Sequence, residues 1–350
     1  RRTIITESDA DMEDEDLIQR EDMVVTVSHA GYIKRVPLAT YREQRRGGKG
    51  RSGMSTREQD FVASLFVATT HQPVLFFSSL GQVYKLKVWR LPQAGPTAVG
   101  RFLENILPLE KGERITTIMP LPEDEAAWEA LDVMFATTGG TVRRNKLSDF
   151  TSVNRAGKIA MRLDEGEGIV NVQMCTEMDD VLLTTAKGQC IRFATTDVRV
   201  FKGRDSMGVR GITLAEGDRL ISMAILRHTD ATPAERLAYL RYSAGLRAAV
   251  GDSGEAEPGP EMEADADAVE GGEADVGMER LIALGAAEQL ILTVADTGLG
   301  KRTSSYDYRC TGRGGQGLVH GMAQFMRQGQ HVPPFAHIVH EHIGVAVGGH

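Results

Sequence analysis

The chain has 350 residues, 41% of them apolar and 25% charged, with 38 glycines but only 6% aromatics. That much apolar material can build one sizeable core or several small ones, and so many glycines favour a turn-rich β architecture over a helical bundle. No apolar stretch approaches the ~18 residues that a membrane-crossing helix needs, and Cys175, Cys190 and Cys310 lack metal-type spacing and read as reduced thiols.

The formal net charge of −8 argues against a nucleic-acid partner until it is located. Residues 7–16 hold seven acids and residues 252–279 hold eleven, with no Lys or Arg in either. Without those two segments the chain carries 30 acids against 40 bases, so its folded body is basic.

Taken in order, residues 1–20 read as the end of a preceding region, Arg1–Thr6, followed by an acidic linker too polar to bury a core. From residue 21 a unit recurs. Each copy has an apolar β-branched run, a Gly turn, and a second run with a cation four residues after that glycine. The first runs are Met23–Val27, Val74–Phe77, Val133–Thr137, Val181–Thr184 and Leu290–Val294. The turn glycines Gly31, Gly81, Gly140, Gly188 and Gly298 precede the cations Arg35, Lys85, Arg144, Arg192 and Arg302. Successive turns lie 50, 59, 48 and 110 residues apart, the first three being the size of a propeller blade. A hairpin this small has no core of its own, so packing unit on unit must supply one. Residues 21–230 are thus four blades and 288–318 a partial fifth.

The long last spacing contains an insertion, residues 231–287. Thr232-Pro233-Ala234-Glu235 has an N-cap, Pro at the first helical position and Glu at the third, which predicts a helix to about Arg247. Residues 251–277 are acidic and poor in apolar side chains, which predicts disorder. A short helix near Met278–Ala287 leads back to the fifth unit.

Beyond each hairpin comes a basic, glycine-bearing loop. In the first unit it is Gln44-Arg45-Arg46-Gly47-Gly48-Lys49-Gly50 with Arg51, a segment with no apolar side chain. Glycines in such a run let the backbone approach a partner, and bare N–H groups with interleaved cations suit phosphates. Later units carry Arg101, then Arg155 and Lys158, then Lys202, Arg204 and Arg210, then Arg313.

The segment 44–50 and the strands before it, Glu21–Pro37, closely resemble the start of the C-terminal DNA-wrapping domain of DNA gyrase A subunits, whose box the seven residues match throughout. The resemblance continues repeat by repeat to about residue 318. It implies an all-β, propeller-like β-pinwheel of about five recognisable four-stranded blades where the family has six. It also implies sequence-independent binding, bending and wrapping of duplex DNA, which presents a segment for ATP-dependent strand passage and negative supercoiling. Gln44–Gly50 and Arg51 would carry the main contact, with the cations of the hairpins and loops named above in support. The chain itself would be non-catalytic and need no cofactor or metal. ATP and Mg²⁺ would serve the rest of a type IIA topoisomerase. Its partners would be a gyrase B subunit plus a second A subunit, in an A₂B₂ enzyme of the cytoplasm and nucleoid without membrane contact.

Elementary energetics agrees with a repeated basic surface. Bending duplex through a half-turn over roughly 40 base pairs costs on the order of 10 kcal/mol, beyond one loop making charge-assisted bonds of about 1.5–3 kcal/mol each. The alternatives are the A-type subunit of topoisomerase IV, in which the box is usually degraded, and a propeller serving as a protein-interaction scaffold. Residues 319–350 depart from the pattern: six of the nine histidines fall there and no strand–turn–strand signature does, as if the last repeat were truncated or frame-shifted. His337, His340 and His342 have spacings that could hold a metal, but no scaffold supports them and no metal is expected.

Overall fold

The computed structural model describes residues 14–41, 54, 60–203, 206–249, 276–294, 300–319 and 339–340. They form two compact units, one from 1–128 and 150–160, the other from 129–149 and 161–350.

Five hairpins organise the described residues: β1 (Asp22–Ser28) with β2 (Tyr32–Pro37), then, beyond β3 (Val62–Thr69), β4 (Pro73–Ser78) with β5 (Gln82–Lys87). After β6 (Arg101–Phe102) and β7 (Ile115–Pro120) come β8 (Asp132–Thr137) and β9 (Thr141–Lys146). The strands β10 (Lys158–Ile159) and β11 (Ile169–Cys175) precede β12 (Asp179–Thr185) and β13 (Gln189–Ala194). Next are β14 (Val209–Arg210) and β15 (Leu220–Arg227), the helices α1 (Pro233–Ala249) and α2 (Met278–Ala287), and the fifth hairpin, β16 (Leu290–Val294) with β17 (Gly300–Ser304). The two-residue strands β18 (Leu318–Val319) and β19 (Val339–His340) follow.

The first hairpin strands are nearly continuous apolar runs because both of their faces are covered. In β12, Val181 and Leu183 join one cluster with Met134, Val142 and Phe193. Leu182 points the other way, to Ala224, Leu226, Ile291 and Tyr308. In the first unit Val25, Val27 and Ile33 pack against Val74, Phe76 and Tyr84 of the second hairpin. Fully burying a side chain such as Phe76 contributes about 1.5–3 kcal/mol. A short 3₁₀ turn follows the second strand of every hairpin: Leu38–Thr40, Val88–Arg90, Leu147–Phe150, Thr195–Asp197 and Ser305–Asp307.

The sheets are not self-contained. Their orders are β3-β1-β2-β6, β10-β5-β4-β7, β11-β8-β9-β14 and β15-β12-β13-β18. The fourth strand, on the outer edge of the second hairpin strand, always comes from the chain that follows the next hairpin. Thus Arg101 pairs with Ile33, Lys158 with Val83, Arg210 with Thr141 and Leu318 with Cys190. The fifth sheet, β17-β16-β19, has three strands among the described residues rather than four.

The insertion helix begins as its sequence signals. Thr232 Oγ1 accepts from the Glu235 N–H, and the Glu235 carboxylate accepts from the Thr232 N–H at 2.8 Å. Tyr239 and Leu240 of α1 pack with Leu281 and Leu284 of α2 and with Tyr306 of the fifth unit. No helix among the described residues is long and apolar enough to cross a membrane.

Candidate nucleic-acid interface

The box residues Gln44, Arg45, Arg46, Gly47, Gly48, Lys49, Gly50 and Arg51, and Arg204 in the fourth loop, lie outside the described residues. Its counterparts in later units are described apart from residues 204 and 205. Counted back from the glycine that opens each donated strand, 44–50 corresponds to 94–100, 151–157, 202–208 and 311–317. The fifth of these, Thr311-Gly-Arg-Gly-Gly-Gln-Gly317, shares Arg-Gly-Gly and the last Gly with the box.

The closing glycine has a definite task. Gly100 has φ +90°, and a Cβ there would stand 2.5 Å from the carbonyl oxygen of Ile33. Gly208, at φ +112°, would meet the carbonyl oxygen of Val142 at the same distance. These residues carry the chain across the neighbouring hairpin strand so that the donated strand can pair. A side chain would both strain the backbone and hold the strands apart.

Next to each crossing stand the exposed cations. Arg101 and Arg210 sit within donated strands, and Arg155 and Lys202 lie in the loops that lead to them, all four exposed. Lys158 is half-buried and gives its ammonium to the carbonyl of Ser152 at 3.0 Å. Arg313 is exposed but donates to the carbonyls of Asp197 and Arg210 at 2.8 and 3.1 Å.

Two of the hairpin cations serve a different purpose from the one the sequence suggested. Arg144 and Arg192 are only 2% and 5% exposed. Arg144 bonds Asp132 at 2.7 Å and the carbonyls of Thr195 and Val198, and Arg192 bonds Asp180 at 2.9 Å and the carbonyls of Ser305 and Tyr308. Each guanidinium therefore ties its own hairpin to the 3₁₀ turn of the next, and assigning these two to DNA phosphates is corrected. A guanidinium has five donors in a fixed fork, enough to satisfy a carboxylate and two carbonyls together. Arg35, half-buried, donates to the carbonyl of Leu91 at 2.8 Å, and burial lowers its pKa against the opposing charge of Glu21. Lys85 spends its ammonium on Glu125 at 2.6 Å and on the carbonyl of Thr151, over the ring of Trp128. Arg302, fifth in the series, is exposed.

Two residues absent from the sequence-based site organise the loops from below. Lys34 is fully buried and donates to the carbonyls of Gly95, Pro96 and Ala98; burial lowers its pKa. Arg143, also fully buried, donates to the carbonyls of Gly203 and Ser206 and to Asn145 at 2.8 Å. Both stand one position before the clamp cation, so their side chains leave the opposite face of the strand. They gather the carbonyls of a glycine loop inward, while Arg101, next to the first of these loops, and Lys202, within the second, are exposed. The signal was present in the pairs Lys34-Arg35 and Arg143-Arg144; the alternation of strand faces separates their roles.

What the described loops offer is positive charge on backbone-supported turns. Repeated hairpins with donated edge strands define a propeller-like β class, here with basic loops. The DNA gyrase C-terminal domain, beta-propeller, family matches the chain over 22–69, 72–122, 131–176, 179–227 and 289–319, and the chain belongs to it. The DNA gyrase A subunit of Granulibacter bethesdensis is 51% identical over 322 residues, covering 91% of this chain and 34% of that protein. The DNA gyrase A subunit of Rickettsia bellii is 47% identical over 319 residues, covering 91% and 34%. The chain thus spans about a third of the length of these relatives. In three dimensions it is similar to the crystal structure of the C-terminal domain of DNA topoisomerase IV, with a TM-score of 0.59 at 19% identity, covering 86% of this chain and 73% of that one. At that identity the likeness shows the fold.

Proposed function

We propose that the chain binds, bends and wraps duplex DNA without sequence preference, as the C-terminal part of a DNA gyrase A subunit. The observation that carries this reading is the relationship to gyrase A subunits over 91% of the chain, together with the intact segment Gln44–Gly50. Arg45, Arg46 and Lys49 take phosphates, and the glycines between them admit the DNA backbone. Arg51, Arg101, Arg155, Lys202, Arg204, Arg210, Arg302 and Arg313 extend the contact from unit to unit. Contacts of this kind position the backbone and do not read bases, so affinity falls steeply with salt.

In the whole enzyme the wrapped segment is presented for strand passage, which requires a second A subunit together with B subunits and their use of ATP and Mg²⁺. The chain acts in the bacterial cytoplasm, on the nucleoid. The test is a titration with duplexes of about 40 and about 150 base pairs, the span over which a bend becomes a wrap, read by energy transfer between the DNA ends. Salt-dependent bending that is lost when Arg45, Arg46 and Lys49 are together replaced by Ala supports the reading. Binding without bending, or bending untouched by the triple substitution, refutes it.

A further inference from the structure

The repeat supplies its own control at the junctions between units, and one junction differs from its counterpart in a way that gathers ligand-type side chains. In the third sheet Asp132 pairs in register with Cys175, and two residues further on Glu177 reaches Arg144 at 3.0 Å. In the fourth sheet Asp180 pairs with Leu226, and two residues further on stands His228. Arg144 makes a parallel bridge to Val200, and Arg192 makes the corresponding bridge to Cys310. Where one junction has Glu177 and Val200, the other therefore has His228 and Cys310, around an equivalent Asp–Arg pair.

The neighbouring charge differs as well. Asp132 pairs in register with Lys146, whose ammonium takes Oδ1 at 2.9 Å, whereas Asp180 pairs with Ala194. The fully buried Asp180 carboxylate gives Oδ2 to Arg192, and its Oδ1 faces Nδ1 of His228 at 2.9 Å. The ligand atoms of Asp180, His228 and Cys310 all lie within 4.8 Å of one another.

We propose that Asp180, His228 and Cys310 form a binding site for a borderline-soft divalent metal of the zinc class, a function beyond the DNA-wrapping reading. One carboxylate, one imidazole and one thiolate are a zinc-type donor set, with a fourth position open to water on the exposed side. Ligand atoms around tetrahedral zinc stand about 3.3–3.8 Å apart, given bond lengths of about 2.0–2.3 Å. Closing the present triangle takes roughly 1 Å of movement, available by side-chain rotation because His228 and Cys310 are both exposed. The ion enters between Oδ1 and Nδ1. The imidazole shifts its proton to Nε2 and the thiol proton leaves to solvent, so carboxylate and thiolate balance the dication. Arg192 stays on Oδ2, orienting the carboxylate while moderating its basicity.

The site has a mechanical meaning. His228 directly follows β15, before the insertion, and Cys310 follows the 3₁₀ turn of the fifth hairpin. Coordination would fasten the residue that leads into the insertion and the segment after the fifth hairpin to the start of β12, and so fix the fifth unit on the fourth. Sequence alone could not show this, since the ligands are 48 and 82 residues apart.

The experiment titrates the purified full chain with Co²⁺ and reads thiolate-to-cobalt charge transfer, because the histidines of 318–350 could take up metal without any thiol. A charge-transfer band is expected, lost in Cys310→Ser and weakened in His228→Ala. In the unaltered chain Zn²⁺ is expected to protect Cys310 from alkylation, located by mass spectrometry. Absence of the band, its persistence in Cys310→Ser, or undiminished alkylation of Cys310 under zinc would overturn the proposal. The alkylation arm needs no variant and so does not depend on whether a substituted chain folds.

Discussion

Replacing Arg192 with Met separates a structural clamp from a DNA contact. The guanidinium is 5% exposed and bonds Asp180 with the carbonyls of Ser305 and Tyr308. Methionine fills much of the same volume but leaves Asp180 fully buried with His228 as its remaining close partner. Removing one partner of a buried ion pair typically costs about 3–5 kcal/mol, because the other charge is left uncompensated. We expect a loss in that range in urea unfolding. Asp180→Leu combined with Arg192→Met should recover most of it, since an apolar pair of similar volume is often neutral or better. At temperatures where the single variant remains folded, its salt dependence of DNA binding should match the parent's. A phosphate contact would instead change the log–log salt slope by about 0.9. Unchanged stability with a reduced slope would refute the clamp and restore Arg192 to the DNA surface.

The exchanged strands yield a matched pair of glycine substitutions. Gly100 and Gly112 have φ of +90° and +87°, but a Cβ meets the Ile33 carbonyl oxygen only at Gly100. Gly112→Ala should cost about 1–2 kcal/mol, and Gly100→Ala at least about 1 kcal/mol more by overpacking; equal losses would exclude the crossing contact. Lys34→Met should destabilise by about 1–3 kcal/mol, the cost of stranding buried acceptors, and should speed amide exchange at Ala98, which bonds the Gly95 carbonyl; unaltered exchange there would mean that Lys34 does not hold the loop. Glu235 is held at a pKa of about 2, first by its bond to Arg280 and next by the Thr232 N–H. Its folded pKa lies below the unfolded value, so its contribution is complete above about pH 4.5 and fades towards about pH 2. Helix content should follow that window by circular dichroism, and Glu235→Gln should remove this part of the pH dependence.

The hairpins were legible because short apolar or β-branched runs such as Val24-Val25-Thr26-Val27 and Val181-Leu182-Leu183 are bounded by Gly turns, a strictly local signal. The helix starting at Pro233 was legible for the same reason, its capping box lying within four residues. The donated strands were not. Arg101–Phe102 and Val209–Arg210 are two residues long, too short for any periodicity, and their partners Ile33 and Thr141 belong to the preceding hairpin. The basic loops could be seen as loops, but their closing glycines read as aids to DNA approach, whereas in Gly100 and Gly208 the close approach is to the chain itself.

The sequence by itself determined the repeat, the basic body between acidic segments and the family, since all three rest on residue type and spacing along the chain. Tertiary structure decided what each cation does. Arg144, Arg192 and Arg302 occupy one place in the repeat, yet the first two are buried under the 3₁₀ turn of the following unit and the third is exposed. The reason is that a guanidinium takes either phosphate or carbonyl oxygens, and which of them it meets depends on what packs over it, an interaction made at a distance of 50 to more than 100 residues.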